Sequence, residues 1–426
     1  MSNSESIPQL PKRLELEELP QISGGRFSVH DQAEEQSRYR MVDPATGEAK
    51  GFVVVDNTNR GPGLGGIRIA PDLTLSEVGR LAYAMSLKNS VACLPYGGGK
   101  AGLVGNPDLL IANPDFKKEL IHLTAETLFT LPSYIPAPDM GTNDHDVQQI
   151  YDYYSEKLGT KFHKRGGASR LPETGGIPID AWALTAHGMV SALETLESLQ
   201  GDFSIKGCRV VVQGFGNVGA PAVEKLAALG ARIVGASDIN RAIFHSKGLN
   251  ISSLMDAKKK GGLIHYSDET EKSFDSKHVD WLLEAPCDVL IPAARPDAIT
   301  ARNADRIDCK IVIQGANAPS NRLTEYYLEN RRGILNCSDF IVNVGGVIGC
   351  AAELEMTMDE DYRARVLASG NNGRSYVENL IYNTVARNTK EIMGRLNSSP
   401  IKDKTFREEA LALAEDRLGQ PELTWL

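Results

Sequence analysis

A chain of 426 residues is too long for one ordinary hydrophobic core, so two domains are expected. Its 42% apolar and 24% charged residues exclude a largely disordered polypeptide. A formal net charge of −9 argues against a nucleic acid or an acidic membrane as partner, because both require a basic face.

In chain order, the opening MSNSESIPQLPKRLELEELPQ has no basic start followed by an apolar core, so it is not a secretory signal. Its Pro, Glu and Ser content reads as a mobile lead-in over residues 1–25. Short β-branched runs at Gly51–Asp56 and Gly66–Ala70 predict strands. Thr74-Leu75-Ser76-Glu77 then has the form of a capping box, and Val78, Leu81, Met85 and Ala92 follow at helical spacing. Further helices are predicted over 114–130, 144–157 and 181–199. After Gly201 the pattern changes. Cys208–Gln213 is a continuous apolar strand of the kind buried on both faces, and a helix carrying Val218, Ala222, Leu226 and Leu229 follows, with Gly230 as its stop. Strands are predicted at Arg232–Ser237, Asp288–Pro292, Lys310–Gln314 and Asp339–Asn343. This alternation implies an α/β chain of two domains. An N-terminal α/β domain covers 1–200, and a Rossmann-like domain covers 201–350. Helices over 351–426 are expected to pack back across the cleft. No stretch approaches the ~20 apolar residues that span a bilayer. The six cysteines include no Cys-x-x-Cys pair and the eight histidines are dispersed, so no metal site is expected, and buried reduced thiols fit a cytoplasmic protein.

A bare G-x-G-x-x-G is weak evidence in a chain with 40 glycines. The loop Gly214-Phe215-Gly216-Asn217-Val218-Gly219 gains weight because it follows a buried strand and opens a helix. Gly214 permits the tight turn, Gly216 lets the backbone approach a pyrophosphate, and Gly219 lets the helix pack on the strand. The helix N-terminus offers N–H groups and a partial positive charge to the phosphates. Asp238, 19 residues beyond Gly219, ends the next strand, where an acid takes ribose hydroxyls and disfavours a 2′-phosphate. NAD is therefore the expected cofactor. Arg241, three residues later, leaves NADP open.

A second constellation lies earlier. Lys88 extends the apolar face of its helix, where it either snorkels or meets a fixed anion. Lys100 follows Gly97-Gly98-Gly99, which permit close approach of backbone and ligand. Asp139 follows a run pinned by Pro136 and Pro138 and precedes the helix at Asp144. Alone, each has an ordinary structural reading.

Together these segments resemble the glutamate/leucine/phenylalanine/valine dehydrogenase family, from about Gly61 to about Glu353. The matching motifs are Gly61-Pro62 with Gly65-Gly66, Lys88, Gly97–Lys100 and Ala137-Pro138-Asp139. They continue with Gly214–Gly219, Pro292-Ala293-Ala294, Gly315-Ala316-Asn317 and Asn343-Val344-Gly345-Gly346-Val347. The resemblance implies reversible oxidative deamination of an L-amino acid with NAD(P). In it Lys88 pairs with the substrate α-carboxylate, Lys100 activates the attacking water, and Asp139 shuttles protons. Asn317 and Asn343 would orient nicotinamide and substrate, Thr185 would touch the nicotinamide carboxamide, and Ala293 would border the cofactor. Gly65, Gly66 and Val347 would line the substrate side. The resemblance also makes 1–200 the substrate-binding and oligomerisation domain and 201–350 the dinucleotide-binding domain, and the family habit implies a homo-oligomer, a dimer or a hexamer.

The same resemblance bears on the amino acid. Glutamate-specific members carry a lysine just before the Gly-Gly pair, where this chain has Leu64. They carry a serine seven residues after the Asn of Asn-x-Gly-Gly, where this chain has Cys350. A buried carboxylate lacking both anchors costs several kcal/mol, which favours an apolar side chain of the leucine, valine, phenylalanine or tryptophan type. Chain length and Pro95–Lys100 look closer to the glutamate branch, and Arg165 or Arg170 could replace the missing lysine. The segment Gly166–Trp182 departs from both branches. A non-catalytic nucleotide-binding relative is the remote alternative, opposed by the presence of both Lys100 and Asp139.

Overall fold

The computed structural model describes residues 9–20, 36–199, 201–401 and 403–426. Residues 1–8 and 21–25 of the expected mobile lead-in lie outside these. The chain forms two compact units, Met1–Pro178 with Gly349–Ala368 and Arg417–Leu426, and Ile179–Ile348 with Ser369–Asp416.

The first unit contains β1 (Glu15–Leu19), β2 (Ser37–Val42), β3 (Ala49–Asn57), β4 (Gly63–Ala70), α1 (Leu75–Val91) and β5 (Gly97–Val104). It continues with α2 (Pro107–Ala112), α3 (Pro114–Phe129), β6 (Tyr134–Pro138) and α4 (Asp144–Leu158). The six strands form one sheet in the order β1-β2-β3-β5-β4-β6. β4 runs parallel to both β5 and β6, and β1, β2 and β3 are antiparallel neighbours. Part of the lead-in is thus a paired strand, β1, and not mobile chain. Ile67, Ile69, Ala101 and Leu103 face Ile121, Leu128, Ile150 and Tyr154 in one core, while Val54, Ala70, Val78 and Ala82 form a smaller one. The predicted capping box is half made. The Thr74 hydroxyl accepts from the Glu77 N–H at 3.2 Å, but the Glu77 carboxylate takes Arg68 Nη1 at 2.8 Å.

The second unit begins with α5 (Leu184–Leu199), β7 (Arg209–Gln213), α6 (Gly219–Ala228), β8 (Arg232–Ser237), β9 (Arg241–Phe244), α7 (Ile251–Lys259) and β10 (Lys272–Asp275). There follow β11 (Val289–Pro292), β12 (Ile311–Ile313), α8 (Arg322–Arg332), β13 (Leu335–Cys337), α9 (Asp339–Val342) and α10 (Gly345–Met358). Of the last helices, α11 (Glu360–Ala368) lies in the first unit, as does α10 from Gly349 onward, while α12 (Arg374–Ser398) and α13 (Phe406–Leu418) as far as Asp416 lie in the second. The sheet order is β10-β9-β8-β7-β11-β12-β13, parallel from β8 to β13 with an antiparallel β9–β10 edge. The order reverses between β7 and β11, and ligands of open α/β sheets bind outside the strand ends at such a point.

Three expectations need correction. The boundary falls at Pro178–Ile179 and not near 200, because α5 packs on α6 and α12 of the second unit. The 351–426 region is likewise divided between the units. Asp339–Asn343 is helical, and the edge strand is Leu335–Cys337. The apolar run reads as strand, but the Asn343 N–H closes a helical turn on the Asp339 carbonyl at 2.9 Å. That turn leaves the Asp339 carboxylate to accept from Ala318 N at 2.9 Å.

Candidate active site

In the first unit, β4 and β5 carry the candidate residues. Their register pairs Leu64 with Gly98 and Ile67 with Ala101, so Leu64, Gly66 and Arg68 share a face with Gly98, Lys100 and Gly102. Gly98 must be glycine here, because a Cβ would lie 2.2 Å from Ser86 Oγ. Helix α1 therefore lies directly on β5, with buried Lys88 two residues beyond Ser86. A Cβ on Gly66 would lie 2.7 Å from the Asp139 Cβ and 3.2 Å from Lys100 Nζ, so its absence lets the two charged groups meet.

They do meet. The Lys100 ammonium contacts Asp139 Oδ2 directly, and Arg68 Nε stands 3.4 Å from the same oxygen. Asp139 is fixed from its own chain too: its N–H donates to Thr142 Oγ1 at 2.9 Å, and its Oδ1 accepts from Met140 N at 2.7 Å. Thr142 in turn donates to the Ile67 carbonyl at 2.7 Å. A reciprocal Asn143–Asp146 capping box starts α4 at the next residue. Burial acts to raise the Asp139 carboxyl, but Lys100 and then Arg68 outweigh it and hold the group well below the usual carboxylate range.

Leu64 is fully buried on this face. Cys350, on α10, is buried, and burial pushes its thiol far above the ordinary range, so it stands as a neutral group. Both arginines suggested as substitute anchors have partners within the protein. Arg165 donates to the Phe129 carbonyl at 2.6 Å and lies over the Phe129 ring at 4.7 Å. Arg170 donates to Glu353 Oε1 at 2.8 Å and Thr357 Oγ1 at 2.8 Å, and covers the Tyr151 ring at 4.1 Å.

Glu353 explains the atypical segment. Its carboxylate, wholly buried, also accepts from the backbone N–H groups of Ser169 at 3.0 Å, Arg170 at 3.2 Å and Ile177 at 2.7 Å. Residues 166–177 are thus folded round one acid. Replacing Arg170 by alanine leaves that carboxylate without its cation, and a loss of about 3–5 kcal/mol in denaturant-measured stability is expected. Unchanged stability with altered side-chain selectivity would show instead that Arg170 serves the substrate.

The second unit carries the glycine loop at the C-terminal end of β7. Gly214 has φ +97°, and a Cβ there would strike the Ala293-Ala294 backbone at 2.8 Å. A Cβ on Gly219 would lie 1.9 Å from the Gly214 carbonyl oxygen. Around Gly216 nothing lies within 4 Å of that position, so the space suits a close ligand. Phe215 is buried, Val218 precedes α6, and no side chain caps the first amides of that helix. Asn217 Nδ2 donates to Asp180 Oδ2 at 2.9 Å. These residues fit a dinucleotide pyrophosphate.

Asp238 accepts three backbone N–H groups, from Asn240 at 2.8 Å, Arg241 at 2.9 Å and Leu263 at 2.6 Å. The Arg241 guanidinium is turned to Ser273 Oγ and to the Leu263 and Tyr266 carbonyls. Elsewhere in this unit Asn343 Nδ2 donates to the Gly315 carbonyl and to Asn317 Oδ1, each at 3.2 Å. The buried Asn343 Oδ1 has no hydrogen-bond partner, an acceptor suited to a ligand amide. A Cβ on Gly346 would lie 3.3 Å from Thr185 Oγ1, and one on Gly345 1.9 Å from the Leu184 carbonyl. Thr185, Asn317 and Asn343 are therefore gathered in the second unit. Val347 is buried on α10, three residues before Cys350.

Three groups escaped the sequence reading. Arg68 and Glu353 act through tertiary contacts that no local pattern signals. Lys258 donates to the Gly216 carbonyl at 2.7 Å, and its only sequence mark is the Lys258–Lys260 run. Among the described residues, no group of three or more His, Cys, Asp or Glu side chains could hold a metal ion.

Comparison with known proteins matches residues 175–379 to the Glutamate/Leucine/Phenylalanine/Valine dehydrogenase family. Residues 33–156 match the Glu/Leu/Phe/Val dehydrogenase dimerisation domain. The NADP-specific glutamate dehydrogenase of Saccharolobus shibatae is 30% identical over 369 residues, 85% of this chain and 82% of that one. The chain belongs to this family. The NAD-specific glutamate dehydrogenase of Staphylococcus aureus is 35% identical over 72% of each chain. Among solved structures, the hetero-hexameric glutamate dehydrogenase from Thermus thermophilus is 25% identical, with a TM-score of 0.73 over 96% of this chain and 89% of that one. Plasmodium falciparum glutamate dehydrogenase, at 22% identity and a TM-score of 0.75 over 92% and 84%, shares the fold. As a family member the chain is an NAD(P)-dependent amino-acid dehydrogenase with a two-domain α/β architecture.

Proposed function

We propose that this dehydrogenase deaminates an L-amino acid with an apolar side chain, of the leucine, valine, phenylalanine or tryptophan type. Amino acid, NAD(P)⁺ and water give 2-oxo acid, ammonium, NAD(P)H and a proton. The observation that carries the site assignment is the buried contact between Lys100 and Asp139 beneath Gly66. In this reading Lys88 holds the α-carboxylate. Lys100 orients and activates the water that attacks the imino carbon and stabilises the oxygen charge that develops. Asp139, ionised beside it, takes and returns the proton of the amino group and of the carbinolamine. The bound cofactor supplies the hydride acceptor. Gly214–Gly219, Asp238 and Ala293 would hold it, with Thr185, Asn317 and Asn343 on the nicotinamide.

The apolar assignment rests on Leu64, on neutral Cys350, and on the prior engagement of Arg165 and Arg170. Glutamate is the second reading, favoured by the names of the similar proteins. Dead-end inhibitors separate the two. Against NADH-loaded enzyme, 4-methylpentanoate should compete with the 2-oxo acid and glutarate should not, whereas the reverse order supports glutamate.

The reading extends to NAD over NADP, supported by the acid Asp238 directly after β8 and by the Arg241 guanidinium, which is turned to Ser273, Leu263 and Tyr266. Asp238→Ala should lower kcat/KM for NAD by about ten- to a hundredfold, the worth of a charge-assisted hydrogen bond, with little change for NADP. Equal losses with both cofactors would contradict it. A cytoplasmic homo-oligomer, dimer or hexamer, completes the proposal, supported by the dimerisation-domain match. Among the described residues no helix is long and apolar enough to cross a membrane.

A further inference from the structure

Lys88 and Lys100 are joined by a turn whose ending is unusual. Helix α1 closes with Cys93 N bonded to the Ser90 carbonyl and Leu94 N to the Asn89 carbonyl, each at 2.9 Å. That is the pattern of a Schellman cap, in which the left-handed residue is normally glycine. Here it is Cys93, with φ +49° and its side chain fully buried. The cap leaves later carbonyls of the turn to find partners elsewhere.

They find them in the last ten residues of the first unit and in Arg60. Arg417 Nη1 donates to the Val91 carbonyl, and Trp425 N to the Cys93 carbonyl at 3.3 Å. Arg60 Nε donates to the Leu94 carbonyl at 2.9 Å. The rest of its guanidinium binds the tail, at the carbonyls of Arg417 (2.8 Å), Gln420 and Leu423. Arg417 also lies over the Trp425 ring at 4.7 Å. The turn is coupled forward to Lys100, since Asn89 Nδ2 donates to the Gly97 carbonyl at 2.6 Å. Gly97 N in turn bonds the Gly61 and Pro62 carbonyls beside Arg60.

We infer that Arg60 and the tail Arg417–Leu426 are positioning elements that set the spacing of Lys88 and Lys100 by holding the strained turn Val91–Leu94. The inference rests on the roles assigned to the two lysines above. It gives the tail, which touches none of the assigned site residues in these bonds, a part in substrate affinity.

The test uses the full chain, Arg60→Lys, Arg60→Gln and a chain ended after Gly419. Hydrogen exchange of residues 86–100 should quicken about tenfold in Arg60→Gln and in the shortened chain, while residues 214–219 keep their protection. KM for the amino acid that the unaltered enzyme turns over should rise about tenfold, with NADH affinity by fluorescence held within about twofold. Arg60→Lys, able to donate but not to fork, should fall between. Unchanged exchange over 86–100 would overturn the inference. So would faster exchange with an unchanged KM, or a parallel loss of protection at 214–219 and of NADH affinity. Because exchange requires no substrate, failure of the brace and failure of the lysine assignment are read separately.

Discussion

Replacing Lys100 by methionine should lower kcat about 10³- to 10⁴-fold while leaving NADH affinity nearly unchanged. The substitution keeps the length of the side chain and removes its charge. It also removes the largest of the attractions that keep Asp139 ionised, leaving a buried carboxyl with Arg68 3.4 Å away and the Met140 N–H as its remaining support. Burial then acts with less opposition and the Asp139 carboxyl rises. The variant should accordingly show residual turnover that fades at acid pH over a range where the unaltered enzyme is indifferent to this group. Stopped-flow rates across pH, with NADH binding by fluorescence as control, decide it. Near-normal kcat would mean that the contact is structural.

Asp139→Asn should cost about 10²- to 10⁴-fold in kcat, because the amide can neither take nor return the proton. The pH dependence has a definite sign. Asp139 has a depressed folded-state pKa, so its ionic contribution to stability is present above the unfolded value near ~3.9 and is lost only as pH falls below it. Between pH 5 and 9, as round limits of ordinary assay conditions, the parent should therefore show no stability change from this group. Asparagine leaves Lys100 and Arg68 buried without their shared anion, so thermal stability should fall along with turnover. A stable, fully active Asp139→Asn enzyme would remove Asp139 from the proton path.

What could be read from residues and what could not divides along physical lines. The glycine loop is local: turn, phosphate approach and helix packing are settled within six residues, and each glycine meets the steric condition its place requires. The lysines and Asp139 became informative only through motif order, since nothing local distinguishes a site aspartate from a loop acid. Strand β5 was invisible as a strand because Gly97–Gly99 have poor β propensity. It is nonetheless buried at the centre of its sheet, and its bare backbone admits both α1 and β4. Asp339–Asn343 failed for the opposite reason: β-favouring residues were overridden by a helical turn that frees the Asp339 carboxylate for Ala318. Glu353 lay beyond pattern altogether, since its four hydrogen-bonded N–H groups come from residues 169–177, far away in sequence.

Leu64 is where the account is most exposed. In the proposed reading a glutamate side-chain carboxylate would meet buried Leu64 and Cys350, which offer it no cation, and each 1.36 kcal/mol of uncompensated burial is tenfold in rate. The direct measurement is kcat/KM for L-leucine, L-valine, L-phenylalanine, L-tryptophan and L-glutamate, each with NAD and NADP. The account predicts that at least one apolar amino acid exceeds glutamate by about 10²-fold or more, with NAD preferred. Glutamate as the best substrate of the panel would contradict it.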